Sequence, residues 1–227
     1  MVEPEVSATL YRDARRRISA AVQDLTPEQL ATVVPACPRW TVRDLIGHLA
    51  GVTADVAHNN LAGAPGEEWT AAHVAARCER SVPELLNEWE SLGPRWEEIA
   101  RRAAHPSFIV RNPFLDTGVH EADIYGALGL PRQPADIYQA IADSVVPRVG
   151  EDFDGLGVFT VITPDGEYRI GNGDTEASVQ VDTYELSRAV FGRRSRAQIE
   201  AWDWAGEPGE FAERISVFPQ REHDLVD

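Results

Sequence analysis

The sequence predicts a helical bundle followed by a smaller α+β domain. Three observations carry this. Apolar residues recur at helical spacing, bracketed by capping residues, through the first 150 positions. After that point the pattern changes to β-branched runs separated by a Pro-Asp-Gly turn. The inner stripe of the second long helix also carries an imidazole, His48, among leucines and valines.

The first helix is read in "VSATLYRDARRRISAAVQDL", where Leu10, Ile18, Val22 and Leu25 fall on one face. "TPEQLATVV" offers Thr26 as N-cap and Pro27 at the first helical position. "TVRDLIGHLAGVTADVAHNNL" is the second long helix, opened by Thr41 and Asp44 at capping-box spacing. Leu45, Leu49, Val52 and Val56 make its stripe, and Trp40 before the cap reads as a hydrophobic staple. "GAPGEEW" reads as a loop. "SVPELLNEWESLGPRWEEIARRAA" opens with Ser81 and Glu84, again at capping-box spacing, and Gly93-Pro94 predicts a kink or break. "NPFLDTGVHEADIYGALG" has Asn112 as cap, Pro113 in the first turn and Gly129 at the stop. "QPADIYQAIADSVVPRVGE" closes the helical half.

"GLGVFTVITPDGEYRIGN" then predicts a hairpin and "ASVQVD" a further strand. "DTYELSRAVFGRRS" is a helix between an Asp cap and a glycine, "SRAQIEAWDW" a shorter one, and "ERISVFP" a closing strand. The boundary is set in "GEDFDG", giving domains 1–152 and 153–227.

Bulk properties narrow the function. The net charge of −16 repels phosphate backbones and disfavours nucleic acid as partner. No apolar run approaches the ~18 residues of a membrane helix, and the N-terminal stretch lacks a secretory apolar core, so the expected compartment is the cytoplasm. All 21 basic residues are arginine; without lysine there is no Schiff base and no P-loop lysine. Cys37 and Cys78 are not in a C-x-x-C pair and read as small packed side chains. The sequence is silent on whether the chain is a monomer or a dimer.

The chemistry sits in two places. His48 faces inward on the second helix. In "DTGVH", Asp116 and His120 lie four apart on one helix face, about 6 Å from each other, with Leu115, Val119 and Ala122 beside them. Two imidazoles and a carboxylate converging between helices suit Zn²⁺, and also Fe²⁺, Ni²⁺ or Mn²⁺, with a coordination position left open. Each feature has a plainer reading too: a hydrogen-bonded core histidine for His48, a surface pair for Asp116 and His120. Asp123 either orients His120 or is a solvated helix charge. Arg193 and Arg194 are candidates for a carboxylate substrate, or cations at a helix C-terminus. His58, His73, His105 and His223 have no partner at ligand spacing and are set aside.

At these residues the sequence resembles a known family. "CPRWTVRDLIGHLAG" resembles the second helix of the DinB/mycothiol-dependent maleylpyruvate isomerase superfamily. "LDTGVHEADIYGALGLPRQP" resembles a later helix of a branch with a carboxylate-x-x-x-His-x-x-Asp pattern. "ASVQVDTYELSRAVFGRRS" resembles the sterol-carrier-like domain that follows the bundle. The resemblance implies a DinB-like four-helix bundle holding one divalent metal, usually zinc, on His48, Asp116 and His120, with mycothiol as thiol cosubstrate. It implies thiol-assisted cis/trans isomerisation or thiol S-transfer on an electrophilic small molecule, at a site walled on one side by the second domain. The isomerase pattern has Glu where this chain has Asp116, which would draw the metal toward that helix. A non-catalytic metal or ligand binder, and a hydrolase using zinc-bound water, would need the same ligands.

Overall fold

The structure is a computed structural model describing residues 2–102 and 108–227. It divides into two compact units, Glu3–Arg132 and Gln133–Val226.

The first unit is built on four long helices: α1 (Pro4–Val22), α3 (Val42–His58), α5 (Val82–Arg102) and α7 (Pro113–Leu128). Short helices α2 (Pro27–Leu30), α4 (Glu67–Ala75) and α6 (Phe108–Arg111) lie in the connections. α3 packs on α5 and α7, and α1 packs on α5 and α7, giving the expected four-helix arrangement. The inner stripes supply its core: Ile18, Val22, Leu45, Ile46, Leu49, Leu85, Trp89 and Ile124 are buried together.

The caps follow the sequence closely. Thr26 and Gln29 close a capping box on α2, and Thr41 and Asp44 close one on α3. The Glu84 carboxylate accepts from the Ser81 N–H and hydroxyl at 2.8 and 2.6 Å. α7 stops at Gly129, whose φ of 64° suits glycine. Asn112 does not cap α7 with its side chain; its amide donates instead to Phe108 O at 2.7 Å.

The predicted break at Gly93-Pro94 is absent, and α5 runs through. Proline cannot donate to the carbonyl four residues back, which is Glu90. Arg15 from α1 supplies a substitute, its Nη1 donating to Glu90 O at 3.5 Å. Gly93 makes room for this, because a Cβ there would lie 2.6 Å from the Arg15 guanidinium. Arg15 is itself buried and paired with Glu97 at 3.0 Å.

A second polar chain crosses the bundle. The Trp89 indole N–H donates to Tyr11 OH at 3.1 Å, Tyr11 OH donates to Thr53 Oγ1 at 3.0 Å, and Thr53 donates to Leu49 O at 2.9 Å. Each donor finds an acceptor, so the network carries no orphan. Burial pushes the Tyr11 phenol up to about 12, against the lowering effect of its hydrogen bonds.

The second unit contains α8 (Ala135–Val149), a 3₁₀ turn (Gly150–Phe153) and four strands: β1 (Val158–Thr163), β2 (Gly166–Ile170), β3 (Glu176–Gln180) and β4 (Asp203–Ala205). The sheet order is β2-β1-β3-β4. β1 and β2 form the predicted hairpin around Pro164-Asp165, whereas β3 runs parallel to β1. α9 (Thr183–Val190) has Asp182 as its cap, and α10 (Arg196–Glu200) has Ser195. Two expectations need correction. The closing strand is β4, in "WDWAG", while "ERISVFP" ends α11 (Gly209–Arg214) and continues without strand pairing. α8, assigned from sequence to the helical half, packs on α9 and β2, so the compact units part at 132/133 rather than 152/153. Its buried Ile137, Ile141 and Val145 show why helical periodicity could not reveal which unit it serves.

Tyr11→Phe should leave the buried Trp89 N–H without an acceptor and cost about 1–3 kcal/mol. Urea unfolding would read this as a lower midpoint at an unchanged m-value.

Candidate metal centre

α3 and α7 pack together and bring their inward polar residues to one place. His48 Nε2 lies 3.7 Å from Asp116 Oδ1, and His120 Nε2 lies 3.6 Å from the same oxygen. The His48 and His120 rings meet edge to face with centroids 5.2 Å apart. The three donor atoms all lie within 4.8 Å of one another. Donors about 2.0–2.1 Å from a tetrahedral ion stand about 3.3 Å apart, so each imidazole nitrogen is a few tenths of an ångström beyond that spacing from Asp116 Oδ1.

The polar bookkeeping also fits a cation. Asp116 Oδ2 is buried with no hydrogen-bond partner. The distances from Oδ1 to the two imidazole nitrogens are too long for good hydrogen bonds. Asp116 still keeps a quarter of its side chain exposed, which leaves an approach from solvent.

Charge is distributed unevenly. Burial lowers the His48 pKa, against the raising effect of Asp116, so this ring favours the neutral form. His120 is also penalised by burial, but its hydrogen bonds to Asp123 and Cys37 and the charge of Asp116 raise it to about 10. Burial pushes Asp116 up, yet the neighbouring imidazoles of His48, His120 and His73 hold it at about 2. Without metal the cluster is therefore a carboxylate beside a protonated His120. The His120 contribution to stability is full below pH 6.5 and is lost as pH rises through about 10. That of Asp116 is present above pH 3.8 and is lost as pH falls through about 2.

The surroundings hold the rings. His120 Nδ1 bonds Asp123 Oδ2 at 2.9 Å, and the Asp123 side chain is fully buried. Asp123 is thus the orienting partner of His120 and not a solvated charge. Trp40 lies against His48 with centroids 4.8 Å apart and reaches His120 at 6.4 Å. It walls the centre as well as packing beside the α3 start. Cys37 Sγ faces Asp123 Oδ2 at 3.6 Å, forming a second group of Cys37, His120 and Asp123 around the other nitrogen of His120. Cys78 is exposed, not packed.

The sequence reading set aside one residue of this centre. His73, on α4, is buried with its Nδ1 3.3 Å from His48 Nδ1 and its Nε2 3.0 Å from Asp55 Oδ2. No spacing rule links residues 48 and 73. The signal available was Gly51, because a Cβ there would stand 2.5 Å from the His73 Cβ. His58 is exposed and bonds Ala54 O at 2.7 Å, His223 is exposed, and His105 lies outside the described residues.

Arg193 and Arg194 belong to the second unit. Arg194 is buried and grips Glu185 with Nε and Nη2 at 2.5 and 3.0 Å, which gives it a structural partner within that unit. Arg193 is half-buried, and its Nη1 donates to Phe191 O at 2.8 Å. No helix among the described residues is long and apolar enough to cross a membrane.

Comparison with known proteins bears on the family and the fold. The family described as "Mycothiol maleylpyruvate isomerase N-terminal domain" matches residues 11–125, which include His48, His73, Asp116, His120 and Asp123. No curated protein matches the chain in sequence. A crystal structure of the mycothiol-dependent maleylpyruvate isomerase aligns at a TM-score of 0.57 and 16% identity, covering 85% of this chain and 90% of that one. A structure of a mutant of that enzyme aligns at 0.57 and 15%, covering 84% and 90%. At this identity the likeness concerns the fold, and it bears out a helical bundle joined to a small α+β unit. With half of its length matched by the family, the chain belongs to the mycothiol maleylpyruvate isomerase N-terminal domain family.

Proposed function

We propose that the chain is a metal-dependent, cytoplasmic enzyme that uses mycothiol to isomerise, or transfer sulfur to, an electrophilic small molecule of the maleylpyruvate kind. The observation that supports this best is the convergence of His48 Nε2, His120 Nε2 and Asp116 Oδ1 inside the segment matched by the family, beside an unpartnered Asp116 Oδ2.

His48, Asp116 and His120 would hold the ion; zinc suits the set, and Ni²⁺, Fe²⁺ and Mn²⁺ accept the same donors. When bound, a dication would favour the thiolate form of a thiol and draw charge from a carbonyl conjugated with the substrate double bond. The residues of the chain set the conditions for that chemistry. Asp116 contributes the one negative charge of the three ligands, so a dication keeps a net positive charge for an anionic thiol. Asp123 holds the Nδ1–H of His120 and leaves Nε2 for the centre. Trp40 shields the His48 side from water. Cys37 Sγ faces Asp123 Oδ2 and is not one of the three converging donors, so the reacting sulfur would come from the cosubstrate. In the isomerisation, the thiolate adds to one carbon of an electron-poor cis double bond, and the electron pair of that bond moves onto the conjugated carbonyl. The remaining single bond rotates. The pair then returns, the thiolate leaves, and the trans double bond forms with no net change in atoms. An S-transferase would stop at the protonated adduct.

Metal analysis of the purified protein should give one equivalent of zinc. His48→Ala, Asp116→Ala and His120→Ala should each lower zinc affinity on the order of a hundredfold or more. In the cobalt form, adding mycothiol should produce a sulfur-to-metal charge-transfer band. A cobalt form that binds metal but gives no such band would remove the thiol reading and leave a binding protein or a hydrolase.

Because His120 is protonated up to about pH 10 without metal, binding zinc at neutral pH should release close to one proton. Calorimetry in buffers of different ionisation enthalpy would count it. Zinc affinity should then rise about tenfold per pH unit above pH 7.

A further inference from the structure

The polar contacts of the first unit form a line that ends on Nδ1 of His48, the ring nitrogen opposite the one that faces Asp116. Asp55 Oδ2, His73 Nε2, His73 Nδ1 and His48 Nδ1 follow one another at 3.0 Å, across the ring, and 3.3 Å. We infer that His73, fixed by Asp55, is a positioning residue that selects the tautomer of His48 in which Nε2 carries the lone pair for the metal.

The argument is one of donors and acceptors. An ionised carboxylate only accepts, so His73 Nε2 carries the proton that faces Asp55. With hydrogen on Nε2, the buried His73 ring presents Nδ1 as its acceptor, and that atom faces His48 at 3.3 Å. The nitrogen facing it, His48 Nδ1, must then donate. A neutral His48 with hydrogen on Nδ1 has a bare Nε2, and that is the atom 3.7 Å from Asp116 Oδ1. These two atoms then face each other without a hydrogen between them, as two donors to one metal ion would.

The packing around His73 points the same way. α4 approaches α3 at Gly51, where any Cβ would collide with His73 Cβ, Cγ and Cδ2 at 2.5–2.8 Å. Trp69 meets the His73 ring edge to face with centroids 4.2 Å apart. Among the described residues of α4, His73 alone is buried. The helix therefore delivers one side chain to the interior, and that side chain is an imidazole in contact with a ligand.

The inference rests on the metal reading for its affinity test, but not for its tautomer test. Two substitutions separate a tautomer role from a packing role. His73→Asn places an amide oxygen near the position of Nδ1 and keeps the acceptor, while losing ring volume. His73→Phe keeps the ring volume and loses the acceptor. Long-range ¹H–¹⁵N spectra of the metal-free protein should show His48 protonated at Nδ1 in the native chain and in His73→Asn. That preference should be lost in His73→Phe. Zinc affinity, by chelator competition, should fall about 10- to 100-fold in His73→Phe and stay within a few-fold of native in His73→Asn. Asp55→Ala, at a partly open position, should move both readouts in the direction of His73→Phe and serves if that variant does not fold. Native affinity in a folded His73→Phe, a larger loss in His73→Asn than in His73→Phe, or His48 protonated at Nε2 in the native chain would each overturn the inference. Failure of the native chain to bind zinc would instead overturn the metal reading, and the spectra would still decide the tautomer.

Discussion

Placing two imidazoles and a carboxylate among the apolar faces of a bundle is the constraint on which the rest of the first unit depends. Each buried polar group without a partner costs about 1–3 kcal/mol, and a buried charge costs more. The outer edges of the rings are paid for by ordinary hydrogen bonds: Asp123 for His120, and His73 with Asp55 for His48. The inner edges are not, because both Nε2 atoms face one carboxylate oxygen at 3.6–3.7 Å and its second oxygen has no partner. Satisfying the outside while leaving the inside open is what a ligand-binding centre requires and a purely structural core does not.

Such a centre needs helices that cannot slide. The Trp89–Tyr11–Thr53–Leu49 chain ties α5, α1 and α3 together next to His48, since Leu49 adjoins it and Thr53 lies just over one turn on. Arg17 on α1 holds the fully buried Glu121 of α7 with two bonds at 2.7 and 2.8 Å, directly beside His120. Removing one partner of such a pair strands a buried charge, at about 3–5 kcal/mol. The ligand-bearing helices are thus held through residues adjacent to the ligands, which limits how far the donor set can spread without metal.

Much of this was legible in the sequence because the signals are local. The N-cap at Thr26, the capping box at Thr41, the stripe around His48 and the four-residue spacing of Asp116 and His120 each lie within one or two turns of chain. What was missed depends on residues distant in sequence. α4 has one buried residue, so it shows no periodicity, and its His73 matters only through helix α3, which precedes it by a loop. The run-through of α5 at Pro94 needs a guanidinium from α1. α8 has an apolar stripe that suits either half of the chain, and only its packing on α9 and β2 assigns it. For Arg194 the sequence left two readings open, and its partner Glu185 lies nine residues back, outside any local spacing rule.

The aspartate at position 116 sharpens the comparison with the isomerase pattern, which has glutamate there. A shorter carboxylate would be expected to fall short of His48 across the interhelical gap. It does not: Oδ1 is almost equidistant from the two imidazole nitrogens, 3.7 Å from one on α3 and 3.6 Å from one on its own helix. Two small residues flank the ligands on these helices, Gly47 before His48 and Thr117 after Asp116, and both are buried. Both distances are close to the roughly 3.3 Å that donors adopt around a tetrahedral ion. A shorter carboxylate would therefore draw a metal held by these residues toward α7 rather than remove a donor.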